Sequence, residues 1–340
     1  MRVIELFAGA GGAALGMEAA GLEHLACVEK EGDPVETLKA HGFPAIHSRV
    51  DGLDYTTYDA DLCWASPPCQ PFSKVGGRAG SQDDRDGWPD TLRALGQMRP
   101  RWFVMENVVG LTLHRVQCEH GCLGPDRCPA AYVDRVIFPD LLSLYDCVDM
   151  RILCASWFGV PQKRRRLFVV AGPRVIDWPT RTHGDPAYFD QLDMFSASLL
   201  PWATMGSCVD TAEGSPWADG KLGGTEPWRL DQPAPTVSAS EWRGSSDVAC
   251  WKRQRASDAL YLATGRPRLT TEEAARLQGF DDGFVHRVAG SRISRDRQIG
   301  NAVPPKMAQV VAEAVLLADA QNPRGFVGTD EPRKLRGNAK

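Results

Sequence analysis

The chain lacks a long apolar run, an internal repeat and an excess of basic charge; its formal net charge is −4 over 340 residues. A membrane-crossing helix needs about 20 consecutive apolar residues, so no span is expected. Without a fixed-period repeat, a solenoid or propeller array is set aside. The slight acidity singles out no partner. It does not exclude nucleic acid either, because basic residues gathered on one face can supply phosphate contacts. Lys163-Arg164-Arg165-Arg166, Arg266 with Arg268, and Arg292, Arg295 and Arg297 are such clusters, and each reads first as solvated surface. The segment from Arg2 to Phe7 has neither the charged nor the apolar region of a secretory signal, and the expected compartment is the cytoplasm. The 10 cysteines are mostly scattered. Cys27, Cys63, Cys147 and Cys154 sit in apolar runs and read as small buried hydrophobes; a reducing compartment calls for no disulfide framework.

What is present is an ordinary globular composition, 43% hydrophobic and 24% charged. It is long enough for one large domain or two unequal ones. Short apolar runs at residues 3–7, 25–29, 61–65, 102–106 and 167–171 read as buried strands. Amphipathic stretches at 13–20, 34–41 and 91–98 read as helices between them. This alternation predicts an α/β fold: a doubly wound, mixed but mostly parallel sheet with helices on both faces. Ligands of such sheets sit at the carboxyl ends of strands. From about residue 173 to 265 the chain is rich in Trp, Pro, Gly, Ser and Asp with weak periodicity, which predicts a smaller, irregular, β-rich domain. A helical pattern returns at 271–277, with Thr270 or Thr271 as its cap. A last helix begins at Pro304-Pro305, and residues 322–340 read as a loose polar tail.

The first strand ends in Phe7-Ala8-Gly9-Ala10-Gly11-Gly12. Glycines allow a tight turn and close ligand approach, and the helix that follows offers free N–H groups. Glu29, ending the second strand, is placed to hold a ribose hydroxyl pair. Gly9-x-Gly11-x-x-Ala14 with an acid about twenty residues on also fits a dinucleotide fingerprint. This segment alone leaves open a nicotinamide enzyme, another nucleoside-cofactor enzyme and a structural glycine turn. Other strands carry a second set of residues. Pro67 and Pro68 fix the backbone ahead of Cys69, a placement that suits a presented nucleophile, although a lone loop cysteine is more often structural. Glu106-Asn107 ends another strand, and Gln162 to Arg166 leads into the strand at 167–171. A thiol, a carboxylate and guanidinium groups brought to one sheet would form a chemical set.

These phrases resemble the motifs of the C5-cytosine DNA methyltransferases. FAGAGG is similar to their cofactor loop, PPCQPFS to their nucleophile loop, ENV to their acid motif and QKRRR to their QxRxR motif. RLTTEEAARLQGF (residues 268–280) is similar to the segment after their target-recognition region, and QIGNAVPP (298–305) to their last motif. Order and spacing match over about residues 1–320. The glycine loop is weakly specific; PPCQ, ENV, QxRxR and GNAVPP together are specific and set the nicotinamide reading aside. The resemblance implies the Rossmann-like fold of S-adenosylmethionine-dependent methyltransferases. It implies a catalytic domain at 1–175, a target-recognition domain at 176–285, a returning segment at 286–320 and a tail at 321–340. It also implies S-adenosylmethionine as cofactor, double-stranded DNA as partner, no membrane, a cognate restriction endonuclease as a candidate partner, and a monomer.

By the same resemblance, the Cys69 thiolate adds to C6 of cytosine, Glu106 meets N3 and the exocyclic amine, and Arg166 with Arg164 nearby binds the O2 side. The matching cofactor positions are Phe7, Gly9, Gly11, Gly12, Glu29, Asp51, Pro68, Asn301 and Val303. Asp54 competes with Asp51, and Lys30 to Asp33 depart from the family pattern. The target base must be flipped from the stack. Gln70, Ser73, Lys74, Arg78 and Gln162 are the expected nucleic-acid contacts, with 73–87 as a mobile loop. Trp228, Arg229, Trp242 and Arg243 are guesses at target readers, in a region whose base code needs geometry. His114, Cys118, His120, Cys122 and Cys128 form an insert denser in Cys and His than the family pattern requires. Its spacing is not a standard zinc ribbon or finger, so free thiols are preferred over zinc and no metal is assigned. Two alternatives stay open. One is a tRNA cytosine methyltransferase, from a small branch sharing these motifs. The other is an inactive DNA-binding relative, which intact Cys69, Glu106 and Arg166 disfavour.

Overall fold

The structure, a computed structural model, describes residues 1–68, 87–112, 131–187, 199–209, 230–237 and 269–321. The strands are β1 (Arg2–Leu6), β2 (Glu23–Glu29), β3 (Ala45–His47), β4 (Leu62–Ala65), β5 (Trp102–Asn107), β6 (Cys147–Cys154) and β7 (Arg165–Gly172), with a short pair β8 (His183–Gly184) and β9 (Leu200–Pro201). The helices are α1 (Gly12–Ala19), α2 (Gly32–Ala40), α3 (Trp88–Met98), α4 (Phe138–Leu144), α5 (Thr271–Leu277), α6 (Asp282–Val285), α7 (Arg292–Asn301) and α8 (Pro305–Ala320).

Side chains alternate along a strand, so each strand feeds two cores. Ile4, Leu6, Val28, Cys63, Phe103, Met105 and Val169 face one layer, which α3 and α4 cover. Val3, Leu62, Trp64, Trp102, Val104, Phe168 and Val170 face the other, covered by α1 and α8. Burial on both faces is why these strands read as near-continuous apolar runs. Cys27, Cys63 and Cys154 are buried and Cys147 is half-buried, all as free thiols.

Seven strands form one sheet in the order β3-β2-β1-β4-β5-β7-β6. β1 lies between β2 and β4 and is parallel to both. The chain runs out to β3 and then crosses back to β4 and β5. That reversal of direction opens a crevice at the carboxyl ends of β1 and β4, where ligands of such sheets bind. β7 is antiparallel to both of its neighbours, β5 and β6. The sheet is therefore mixed and mostly parallel, as expected. β3, β6 and α7 go beyond the elements that periodicity predicts.

Of the two candidate caps of α5, Thr270 is the cap. Its hydroxyl accepts from Glu273 N and the Glu273 carboxylate accepts from Thr270 N. Thr271 instead bonds Asp296 at 2.5 Å. Leu277, Phe280, Phe284 and Ile299 pack with Met205, Val209, Ala234 and Val237 in a third cluster.

α1 and α8 approach so closely that a Cβ on Gly16 would strike the Pro305 carbonyl and the Ala308 side chain. Gly96, on the exposed side of α3, has nothing within 4 Å of such a Cβ. Gly16→Ala should therefore destabilise by about 1–3 kcal/mol, as overpacking does. Gly96→Ala should stabilise by about 0.4–1 kcal/mol through unfolded-chain entropy. Urea unfolding of both variants checks the opposite signs; two stabilised proteins would mean that the α1–α8 contact yields freely.

Candidate active site

Four parallel strands deliver chemistry to one edge of the sheet. Phe7 to Gly12 follow β1, Glu29 ends β2, Ser66 to Pro68 follow β4, and Glu106-Asn107 end β5. Because β7 runs the other way, its first residues reach the same edge, with Glu106 opposite Phe168 and Asn107 opposite Leu167. Arg166 therefore meets Glu106: its Nε lies 2.9 Å from Glu106 Oε1, with both side chains largely enclosed. Burial pushes the Glu106 carboxyl above the usual range, while the Arg166 and Arg164 charges and the Arg166 hydrogen bond draw it down. Such a carboxyl holds a proton more readily than a free one and faces a fixed cation, an arrangement suited to a ring on which charge develops.

Asn107 bonds in two directions. Its Nδ2 donates to Pro67 O at 3.1 Å and its Oδ1 accepts from Val108 N at 2.8 Å. It thereby ties β5 to the backbone two residues before Cys69. Gly87 sits against Pro68, Phe7 and Pro67, which a Cβ there would approach to 2.8, 3.0 and 3.0 Å. Pro68 and Gly87, which flank residues 69–86 in the chain, thus meet beside Phe7. Cys69, Gln70, Ser73, Lys74 and Arg78, with most of the expected mobile loop, fall between these two and lie outside the described residues; so do the insert His114, Cys118, His120, Cys122 and Cys128, and Trp228, Arg229, Trp242 and Arg243. Asn107→Ala would leave the Pro67 carbonyl unmatched and loosen the backbone ahead of residue 69. Since a misplacement of about 1 Å can cost 10²-fold, kcat should fall by about that factor with KM for the cofactor little changed. Steady-state kinetics test this; a KM defect with normal kcat would place Asn107 at the cofactor instead.

The loop after β1 turns through the left-handed region at Phe7, Gly9 and Gly11, with φ of 56°, 55° and 86°. Among the described residues nothing lies within 4 Å of a Cβ built on Gly9. The Glu29 carboxylate holds the turn: Oε2 accepts from Gly9 N at 2.8 Å, and Oε1 from Lys30 N at 2.8 Å and Glu31 N at 2.9 Å. A carboxylate has about four acceptor positions, so the described residues leave Glu29 about one more to offer. The Val303 carbonyl and the Ala302 side chain close on Gly12, with exposed Asn301 just before them. The far end of the chain thus walls the cradle. Asp51 lies exposed in the turn Val50–Gly52, paired at 2.9 Å with Arg49, which holds its carboxyl below the usual range. Its rival Asp54 is occupied by Thr56. An open glycine cradle beside an acid with remaining acceptor capacity fits a nucleoside cofactor.

Two motif residues lie deeper than expected. Residues 162, 164 and 166 alternate along an extended lead into β7, so they share a face. Arg166 is at the edge, Arg164 runs beneath Gly300 to Ala302, and Gln162 lies against Leu277 and Val237. Gln162 has no exposed surface: its Nε2 donates to Leu277 O at 3.4 Å and its Oε1 accepts from Val237 N at 3.3 Å. At this position, read from the sequence as a nucleic-acid contact, the amide is enclosed and its groups are used internally. Arg164, 1% exposed, donates to Val237 O at 2.7 Å, Gly300 O at 2.9 Å and Ala302 O at 3.0 Å. Its charge reaches Glu106, but these donors hold backbone. Arg292, Arg295 and Arg297 lie 3.8, 3.8 and 3.7 Å from Asp296, Glu272 and Glu31.

A glycine cradle beside a buried acid–guanidinium pair, at the carboxyl edge of a mostly parallel sheet, is the site of an α/β protein suited to a nucleoside-type cofactor. The chain belongs to the C-5 cytosine-specific DNA methylase family, whose sequence model matches residues 1–185 and 229–316. It is 33% identical over 334 residues to the type II methyltransferase M.AplI of Arthrospira platensis, covering 94% of this chain and 87% of that protein. It is 28% identical over 323 residues to the type II methyltransferase M.NgoMIV of Neisseria gonorrhoeae, covering 93% and 97%. The S. pombe Dnmt2 methyltransferase shares the fold, with a TM-score of 0.61 at 18% identity over 95% of this chain and 99% of that one. The chain is accordingly a DNA (cytosine-5) methyltransferase with S-adenosylmethionine as methyl donor.

Proposed function

We propose that the enzyme methylates C5 of a flipped cytosine in one short duplex sequence through a covalent Cys69–C6 adduct, as the modification partner of a restriction endonuclease. The observation that carries the mechanism is the Glu106–Arg166 pair, placed on the edge where Asn107 holds Pro67 just ahead of Cys69. C5 of cytosine is a weak nucleophile. Addition of the Cys69 thiolate to C6 pushes electrons toward N3 and O2 and makes C5 enamine-like. Glu106 gives its proton or hydrogen bond at N3, and Arg166 stabilises charge at O2. The bound cofactor supplies an electrophilic methyl group. Loss of the C5 proton and expulsion of the thiolate restore the ring. Glu29 holds the ribose, Phe7, Gly9, Gly11 and Gly12 shape the cradle, Asp51 meets the adenine amine, Pro68 borders the methyl donor, and Asn301 and Val303 close the wall. Arg164 acts as a positioning residue.

The target carbon is inaccessible in a stacked duplex, which requires flipping. The contacts of Gln70, Ser73, Lys74 and Arg78 with DNA rest on the motif alone. Target reading belongs to residues 176–285; the family model passes over 186–228, which supports placing specificity there. The named relatives are type II methyltransferases, which supports pairing with an endonuclease. Among the described residues no helix is long and apolar enough to cross a membrane. Action on DNA by a monomer in the cytoplasm completes the reading. The test is sequencing for 5-methylcytosine in DNA and tRNA from cells expressing the enzyme. Methylation of DNA at one short motif is expected; methylation confined to tRNA would overturn the proposal.

A further inference from the structure

On the face of β1 and β2 that packs against α1 and α2, three potential ligands converge away from the methyl-transfer edge. Glu5 Oε2 lies 3.7 Å from His24 Nε2 and 3.9 Å from Cys27 Sγ, and all three donor atoms are within 4.8 Å of one another. A β-bulge creates the cluster. Val3 pairs with His24, but Ile4 pairs with Ala26. Residues three apart in a regular strand point to opposite faces; the extra residue brings His24 and Cys27 to the face of Glu5, as bulges re-aim side chains. Glu5 and Cys27 are buried, and the His24 side chain is 3% exposed. Among the described residues His24 Nε2 nevertheless has no hydrogen-bond partner, a loss of about 1–3 kcal/mol for a buried polar group. Phe43 holds the ring edge-on, with centroids 5.2 Å apart. The methyl-transfer chemistry uses none of the three residues.

We propose that Glu5, His24 and Cys27 bind a single divalent ion of the zinc class. Thiolate, imidazole and carboxylate are the donors such ions take, with bonds of about 2.0–2.3 Å. Tetrahedral ligands on such bonds lie about 3.3–3.6 Å apart; Glu5 is within a few tenths of an ångström of that spacing from both partners, and closing on an ion draws His24 and Cys27, within 4.8 Å of each other, together by up to about 1 Å. Binding sends the thiol and carboxyl protons to solvent, and the two anions formed balance the dication. Three protein donors leave one coordination position, which makes the site weaker than a closed four-ligand one. The ion would pin β1 to β2 two residues before Phe7 and Glu29, the residues that shape the cofactor loop.

The full chain is equilibrated with Zn²⁺, freed of excess and assayed for bound metal, and a Co²⁺ sample is read for the charge-transfer absorption of a cobalt–thiolate bond. One retained equivalent and a cobalt–thiolate band are expected, with a raised thermal midpoint. His24→Gln and Cys27→Ser should each lose the band and the midpoint shift. A Cys118→Ser/Cys122→Ser variant should keep both, which separates this site from the Cys/His insert. Circular dichroism confirms folding, and if Cys27→Ser fails to fold, His24→Gln decides. A band absent from the unaltered chain, unchanged in His24→Gln, or lost only in the Cys118/Cys122 variant would overturn the proposal.

Discussion

Cells expressing the Cys69→Ala enzyme should carry no 5-methylcytosine at the sequence that the unaltered enzyme marks, and Glu106→Gln should leave only a trace. Without a thiolate at C6, the aromatic ring offers C5 no electron pair to attack the methyl group. Loss of a covalent nucleophile should cost more than about 10⁴-fold. Glu106→Gln keeps the shape and one hydrogen bond but cannot release a proton, and general-acid loss costs about 10²–10⁴-fold. The two variants differ in their pH behaviour. Burial first, against the pull of Arg166 and Arg164, raises the Glu106 carboxyl. The protonated form is therefore full below that raised value and is lost as pH rises through it. Single-turnover rates of the unaltered enzyme should carry a falling limb there, and Glu106→Gln should not. A Gln variant that keeps this limb would remove Glu106 from the proton-donor role.

The parts of the fold that were legible in the sequence are those buried on both faces. β1, β2, β4, β5 and β7 give apolar runs because neither face meets water. β3, at Ala45–His47, is too short to show a period. β6 lies at the edge of the sheet and sets Asp149 and Arg151 between Val148, Met150 and Ile152, so its apolar signal is diluted. The reversed direction of β7 leaves no trace in its residues, because an apolar run reads the same either way. Yet that reversal is what brings Arg166 to Glu106. α7 has a different obstacle: Ile293 is exposed and Ile299 is buried. Polar ties hold it, with Ser291 capping Ser294 N, Asp296 bonded to Thr271, and Gln298 to Thr37 and Ala289. Hydrophobic periodicity cannot find such a helix. In the site, charged residues at strand ends stood out: Glu29, Glu106 and Arg166. The work of Asn107, Gln162 and Arg164 did not, because their partners are largely backbone groups. For Arg164 these lie 73 and 136 residues away, at Val237 and Gly300, and a carbonyl carries no sequence signature.

Arg164→Met should therefore damage the enzyme through its architecture, with a loss of several kcal/mol in stability as well as activity. The guanidinium satisfies three carbonyls, at Val237, Gly300 and Ala302. Each buried acceptor left unmatched costs about 1–3 kcal/mol, against a total stability of about 5–15 kcal/mol for a typical protein. Methionine fills much of the volume and restores none of the bonds. Lysine keeps the charge but not the planar fork that spans several acceptors, so Arg164→Lys should fall between the two. Because Ala302 and Val303 close on Gly12, cofactor affinity should weaken along with stability. Urea unfolding and cofactor titration of both variants measure these effects together. If Arg164→Met unfolds at the same urea concentration as the unaltered enzyme, binds cofactor normally and still fails to transfer methyl groups, Arg164 touches the base itself. The carbonyl ties would then be incidental to a direct role beside Arg166. Loss of stability and cofactor affinity, graded from lysine to methionine, would instead identify Arg164 as the clasp that holds the returning end of the chain against the cofactor loop.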